Sequence, residues 1–414
     1  MSPHRGRRAA VALLTALLLI AVVAGCRGNG GAADRALTGA GPRVDAPASM
    51  RATVGDTARV DVEVRDGDDS DEITATALPA GATLDDGTLR FSPTTAGTWT
   101  ATLRAGDGPA TTIAFVARYP ARPDTLVALG DSVASGQGLE LADWLGRDPC
   151  WRALDDAYPG LVFDTWRKGR ADAEFALVAC SGATTGDLLT SPVAGGPKGA
   201  APSGATTLSQ VDWAVRANPG LVTITIGAND LEFSSPAKSF TPQGTLRPEV
   251  DERLARVESG LGAVLSRLVD ETDARIVVTT YHDPAATNPQ GVDGCEGACF
   301  ARTTRDVVDR LALAVEHSAA RFTPKRVLVA DVRRAFEGHG APNGVGLDAI
   351  RTGGLGPLGD ASSRLLGGVS AFCARDGPTS VSWVNALDCV HPNAAGARAY
   401  AEVVTTTIDR FPRR

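Results

Sequence analysis

The sequence predicts an α/β chain in which a three-layer α/β/α sandwich, built on a parallel five-stranded sheet, follows a small all-β domain. Three observations predict this. Five short, continuously apolar runs, Leu126–Leu129, Phe175–Val178, Leu221–Ile226, Arg275–Tyr281 and Arg326–Val332, alternate with helical stretches. Strands that are apolar on both sides belong in a parallel sheet covered on both faces. Between them Val250, Leu254, Val257, Leu261, Leu265 and Leu268 recur at helical spacing, as do Val307, Val308, Leu311 and Val315. Before Asp124, by contrast, apolar and polar residues alternate with strand period, and Gly/Asp clusters interrupt them at turn spacing.

The chain has 414 residues, enough for two or three domains. With 43% hydrophobic and 21% charged residues, disordered and fibrous classes are excluded. The net charge of −7 is dispersed along the chain, which argues against nucleic-acid binding, a function that needs a basic stripe.

Residues 1–26 are set apart from the fold. Arg5, Arg7 and Arg8 precede an apolar stretch, Ala9–Val23, that is shorter than the ~20 residues a spanning helix needs. A basic start followed by a short apolar run reads as a signal peptide. The stretch ends Val23-Ala24-Gly25-Cys26, which resembles a bacterial lipobox. That resemblance implies cleavage before Cys26 and lipid on its thiol; the alternative is ordinary secretory cleavage with an incidental Cys. Residues 27–44 are Gly/Ala-rich and read as a flexible tether. The expected location is the outer face of the cytoplasmic membrane through a lipid anchor, or the medium.

Residues 45–120 carry the strand-period alternation, as in Ala58–Val64 and Thr98–Leu103, and predict a β-sandwich. The segments Leu78–Leu84 and Phe91–Trp99 resemble bacterial Ig-like modules. The Asp-rich turns at Asp66–Asp69 and Asp85–Gly87 read as solvated turns rather than Ca²⁺ sites. Residues 121–414 form the α/β domain, with Gly/Pro-rich loops at Thr190–Thr207 and Gly338–Gly359.

Seven Cys are present, and with Cys26 set aside six remain, at 150, 180, 295, 299, 373 and 389. In an exported chain an even number reads as three disulfides, with 15 possible pairings. Zinc would need a second ligand pair to match Cys295-x-x-x-Cys299, and the sequence offers none, so no metal is expected.

Four segments carry the chemistry. Ala128-Leu129-Gly130-Asp131-Ser132 follows the first strand of the α/β domain, Ala179-Cys180-Ser181-Gly182-Ala183-Thr184-Thr185 the second, and Gly227-Ala228-Asn229-Asp230 the third; Asp388-Cys389-Val390-His391-Pro392-Asn393 opens the last helix. Loops at the carboxyl ends of strands in an open α/β sheet converge on one crevice. In this order the four segments resemble the SGNH hydrolases, or GDSL esterases and lipases, over roughly 290 residues. The wording of the second is similar to secreted actinobacterial lipases and esterases. No Gly-x-Ser-x-Gly elbow surrounds Ser132, so the α/β-hydrolase fold is not indicated.

A Ser hydroxyl becomes nucleophilic when a base removes its proton. Of the five His, at 4, 282, 317, 339 and 391, only His391 has an Asp three residues before it. The triad is therefore read as Ser132 nucleophile, His391 base and acid, and Asp388 orienting carboxylate. The resemblance further implies a flavodoxin-like fold, no cofactor, and an oxyanion hole from the Ser132 and Gly182 backbone N–H groups and the Asn229 amide. It also implies sequential disulfides, Cys150–Cys180, Cys295–Cys299 and Cys373–Cys389. Asp230 reads as structural and His339 as a loop hydrogen-bonder, while His282 is left between lining the pocket and the core. The expected activity is that of a lipase or carboxylesterase acting on an ester substrate. The alternatives are a polysaccharide O-deacetylase and a surface adhesin with an inactive hydrolase domain.

Overall fold

Residues 43–118 form nine strands: β1 (Arg43–Asp45), β2 (Ser49–Thr53), β3 (Ala58–Asp61), β4 (Glu63–Arg65), β5 (Ile73–Thr76), β6 (Ala82–Asp85), β7 (Thr88–Phe91), β8 (Gly97–Ala105) and β9 (Thr111–Arg118). They pair as β2-β9-β8-β5, as β3-β7-β6, and as a β1-β4 ribbon. The period-two pattern aims alternate residues of both larger sheets at one core. Ala101, Leu103 and Ala105 of β8 and Ile113, Phe115 and Ala117 of β9 meet Leu89 and Phe91 of β7, all of them buried. The Phe91 ring stands edge-on to Phe115 at 5.2 Å and to Trp99 at 5.9 Å, joining the two sheets. The segment 58–64, expected as one strand, is two. Val62 turns inward, is buried and donates its N–H to the Gly87 carbonyl, so β3 pairs with β7 while β4 leaves to pair with β1.

This computed structural model describes residues 41–67, 71–140, 148–200, 207–232, 245–284, 295–339, 383–384 and 390–412. The signal segment with Cys26, the tether up to residue 40, Cys373, Asp388 and Cys389 lie outside the described residues, as do the side chains of Cys295 and Cys299.

The second half holds β10 (Arg122–Gly130), β11 (Glu174–Leu177), β12 (Lys198–Gly199), β13 (Pro219–Thr225), β14 (Arg275–Thr279) and β15 (Val327–Ala330). Its described helices are α1 (Ser132–Ser135), α2 (Tyr158–Trp166), α3 (Thr185–Thr190), α4 (Gln210–Ala217), α5 (Glu249–Glu271), α6 (Cys295–Ala320) and α7 (Ala394–Ile408). The sheet order is β12-β11-β10-β13-β14-β15, and all neighbours are parallel except β12. The sheet is mostly parallel, as expected, but it holds six described strands rather than five, because β12 adds an antiparallel edge. It is a two-residue edge strand inside a segment expected to be loop, held by the register Ala176↔Gly199 and Leu177↔Lys198.

Each central strand feeds two cores by alternation. Leu126, Ala128, Phe175, Leu177 and Val277 point to one face, against Tyr158 and Val162 of α2 and Tyr400 and Val404 of α7. Val127, Leu129, Ala176, Ile224 and Val278 point to the other, against Val211 and Ala214 of α4 and Leu261, Leu265 and Leu268 of α5. That is the helix–sheet–helix layering the apolar runs predict. The chain enters the sheet at β10, steps to β11 on one side, then crosses to β13 on the other, which makes the carboxyl end of β10 the topological switch point.

The β-rich part meets the α/β part at the opposite end of the sheet. Arg118, at the end of β9, reaches the Val269 and Asp270 carbonyls at the close of α5 and the Asp273 carboxylate. A guanidinium there satisfies the last carbonyls of α5 and complements its dipole. Because α5 begins on the side where β13 ends, its C-terminus lies away from the switch point. Arg118→Ala should therefore cost about 1.5–3 kcal/mol of stability, the usual range for hydrogen bonds to charged groups. Calorimetry should register this as a lower Tm, with kcat on a soluble ester unchanged.

Candidate active site

Ser132 is the first residue of α1, directly after β10, and its approach is set by backbone constraints. Gly130 has φ +138°, and a Cβ there would lie 2.2 Å from the Thr225 carbonyl oxygen of β13. Only glycine lets the two strands close at this point. The Gly130 peptide is held on both sides by the buried Gln210 amide: Gly130 N–H donates to Oε1 at 2.8 Å and Nε2 donates to Gly130 O at 2.9 Å. Asp131 then caps α1, its carboxylate accepting the Val133 N–H at 3.0 Å.

The second segment is laced to the first. Cys180 N–H donates to Gly130 O at 3.0 Å, and Ser181 N–H donates to Cys150 O at 3.1 Å. Cys150 and Cys180 are disulfide-bonded. Beneath the bridge the buried Arg152 guanidinium pairs with Asp148 at 2.9 Å and reaches the Ala194 carbonyl. Burial pushes the Asp148 carboxyl up, but the Arg152 guanidinium, the Cys150 N–H and Lys198 outweigh it and hold it down at about 2. Gly182 follows at φ +83°, where a Cβ would meet nothing within 4 Å. The left-handed backbone, rather than crowding, is what calls for glycine.

The third segment is tied to the second by two side chains. Asn229 Nδ2 donates to the Ala183 carbonyl at 2.9 Å. Asp230 accepts from the Thr185 hydroxyl at 2.6 Å and from the Thr185 N–H, at the start of α3. Burial nonetheless raises the Asp230 carboxyl, with the Thr185 bonds opposing. The contacts of Asp230 run to α3 rather than to Ser132 or His391, which gives it the structural place expected of it.

His391 completes the group. Its Nε2 lies 2.6 Å from Ser132 Oγ, although 259 residues separate the two. Its loop is anchored on the far side by α7, where Asn393 caps the helix by accepting the Ala395 and Gly396 N–H groups. Asn393 N–H donates to Trp383 O at 2.8 Å, and Trp383 N–H to His339 O at 2.8 Å. The His339 ring stacks on Trp383 at 3.7 Å, so His339 braces this loop from behind. His317 lies elsewhere, exposed on α6 beside Glu258.

Three residues that sequence reasoning passed over belong to the site's support: Gln210, Tyr281 and Gln137. Gln210 was detectable as a polar residue on the buried face of an amphipathic helix. Tyr281 ends the β14 run in the polar cluster Thr279–Asp283; its hydroxyl donates to the Asp131 carboxylate and accepts the Ala228 N–H at 3.3 Å, bridging the first and third segments. Gln137 accepts from the Ser181 hydroxyl and left no periodic signal. His282 does not line an open pocket; it is 3% exposed and sits behind the His391 loop.

Asp131 is the electrostatic outlier. Burial pushes its carboxyl up to about 6, against the Tyr281 and Val133 hydrogen bonds and the positive charge available at His391. An unfolded Asp titrates near 3.9. Between those values the folded chain keeps a proton that the unfolded chain has released. The stability this contributes is full below about pH 4 and is lost as pH rises through about 6. Asp131→Asn removes the titration while keeping the cap acceptor. The variant should therefore gain on the parent by about 2–3 kcal/mol between pH 4 and pH 7. Calorimetric Tm differences at pH 4, 5, 6 and 7 check this; a pH-independent difference would show that the carboxyl titrates normally.

Among the described residues no cluster of three or more His, Cys, Asp or Glu is arranged to hold a metal ion, and no helix is long and apolar enough to cross a membrane.

A lipase from Streptomyces rimosus is 30% identical over 151 residues, which span 36% of this chain and 47% of that protein. Lipase 1 of Streptomyces coelicolor is 27% identical over 296 residues, covering 68% of this chain and 85% of that protein. The crystal structure of the extracellular Streptomyces rimosus lipase superposes with a TM-score of 0.42 at 20% identity, covering 68% of this chain and 99% of that one. Residues 128–399, from the strand before Ser132 into α7, match the model of one family. The chain belongs to the GDSL-like lipase/acylhydrolase family.

Proposed function

We propose that this protein is an exported serine ester hydrolase, a lipase or carboxylesterase, that transfers an acyl group to water through an acyl-serine intermediate. The observation that carries this reading is the 2.6 Å contact between Ser132 Oγ and His391 Nε2. Ser132 Oγ attacks the ester carbonyl while His391 Nε2 takes its proton. The tetrahedral oxyanion is met by the Ser132 and Gly182 N–H groups and by the Asn229 amide, whose plane is set by its bond to the Ala183 carbonyl. His391 then protonates the leaving alcohol, the acyl group stays on Ser132, and a water deprotonated by His391 releases the acid. Asp388 is assigned to orient His391 and to stabilise its imidazolium. The family and its lipase relatives support ester chemistry. The signal-like segment before Cys26 supports export, and the lipid anchor rests on the lipobox-like Val23-Ala24-Gly25-Cys26 and the tether after it.

The β-rich residues 45–120 are proposed to be a separate Ig-like spacer, in keeping with their contact at the end of the sheet remote from Ser132. Hydrolysis rates on p-nitrophenyl esters from two to sixteen carbons, run beside acetylated xylan, test the substrate class. A maximum at long chains is the expected result. Activity confined to acetyl groups would replace the lipase reading with a polysaccharide O-deacetylase.

A further inference from the structure

We propose that His282 is a positioning residue for His391, holding the peptide bond that leads into it. This rests on the reading of Ser132 and His391 as the reacting pair. His282 Nε2 lies 2.7 Å from the carbonyl oxygen of Val390, the residue immediately before His391. A carbonyl only accepts, so Nε2 carries the hydrogen and Nδ1 of the neutral ring is an acceptor. Nδ1 lies 2.8 Å from the Tyr400 hydroxyl, which donates to it, and the same Tyr400 oxygen accepts the His282 backbone N–H at 3.1 Å. The Val390 carbonyl thus dictates the tautomer of the neutral ring. The ring is further wedged between Phe336, at 4.4 Å, and the edge of Tyr400, at 5.7 Å.

Position along the chain gives this contact its consequence. Downstream of His391 the backbone is fixed by the Asn393 cap of α7, two residues away. Upstream, His282 fixes the Val390 carbonyl, one residue away. Between these two anchors His391 has little backbone freedom, and its Nε2 is delivered to Ser132 Oγ. Tyr400 belongs to α7 and His282 follows β14, so the sheet and the last helix clamp the loop together. A histidine that served only to fill the core would need neither the Nε2 bond to Val390 nor a fixed tautomer.

Hydrolysis of p-nitrophenyl acetate by the full chain tests the proposal, with Tm measured for each variant. His282→Phe keeps the ring volume and loses both side-chain bonds. It should lower kcat at least fivefold with KM within twofold. His282→Gln places an amide N–H where Nε2 was and should recover at least half of that loss on a logarithmic scale, without a higher Tm than the Phe variant. A fall in kcat of less than fivefold for His282→Phe, or equal losses for Phe and Gln, would overturn the positioning role. If the Phe variant does not fold, His282→Asn takes its place, because its shorter amide reaches Tyr400 but not Val390. His391→Ala is run alongside. Retained activity there removes the reading of the reacting pair, whereas an inactive His391→Ala beside an unaffected His282→Phe removes only this inference.

Discussion

Ser132→Ala should lower kcat by about 10⁶, with His391→Ala losing a similar factor and the double variant no more than either alone. The expectation of non-additivity follows from the shared proton. Without His391 the Ser132 hydroxyl keeps its hydrogen and attacks as a neutral alcohol, aided only by the oxyanion donors; without Ser132 the ring loses the hydroxyl it deprotonates. The 2.6 Å Ser132–His391 contact joins the two in one step. Both side chains are half-buried, so neither substitution removes core volume, and Tm should stay near that of the parent. Labelling by a fluorophosphonate should vanish in Ser132→Ala. A His391→Ala variant that kept near-normal turnover would place the base elsewhere and end the pairing of Ser132 with His391.

What could be read from the sequence followed from periodicity and from short-range chemistry. The runs at Leu126, Phe175, Leu221, Arg275 and Arg326 coincide with β10, β11, β13, β14 and β15 because a strand covered on both faces must be apolar at every position. The antiparallel β12 left no such trace: Lys198 and Gly199 favour no strand, and their pairing is imposed by the neighbouring edge of β11. The same holds for the break at Val62, where two sheets compete for one segment. In the site, Ser132 and His391 announced themselves through residue types that have few other uses together. The supporting residues did not, since Gln210, Tyr281 and His282 act by bonding backbone groups far away in sequence. A single sequence carries no signal for which carbonyl a buried side chain will meet. Asp388, read from its spacing to His391, lies outside the described residues.

Asn229→Ala should lower kcat by about 10²–10³, or ~2.7–4 kcal/mol of transition-state stabilisation, with KM little changed. The amide has two hydrogens on Nδ2. One is committed to the Ala183 carbonyl at 2.9 Å, which orients the group beside Gly182; the other is assigned to the oxyanion. That second bond strengthens only when negative charge develops on the substrate oxygen, so its loss falls on kcat and spares ground-state binding. A rival account makes Asn229 a mere tie between its loop and Ala183. On that account Asn229→Ala would loosen the loop, lower Tm and shift KM and kcat together. Asn229→Asp should be no milder. Its carboxylate is nearly isosteric but repels both the Ala183 carbonyl and a developing oxyanion, and its kcat should fall at least as far as that of Asn229→Ala. If Asn229→Ala retained more than a tenth of the parent kcat, the oxyanion would have to rest on the Ser132 and Gly182 N–H groups alone, and Asn229 would be a loop tie.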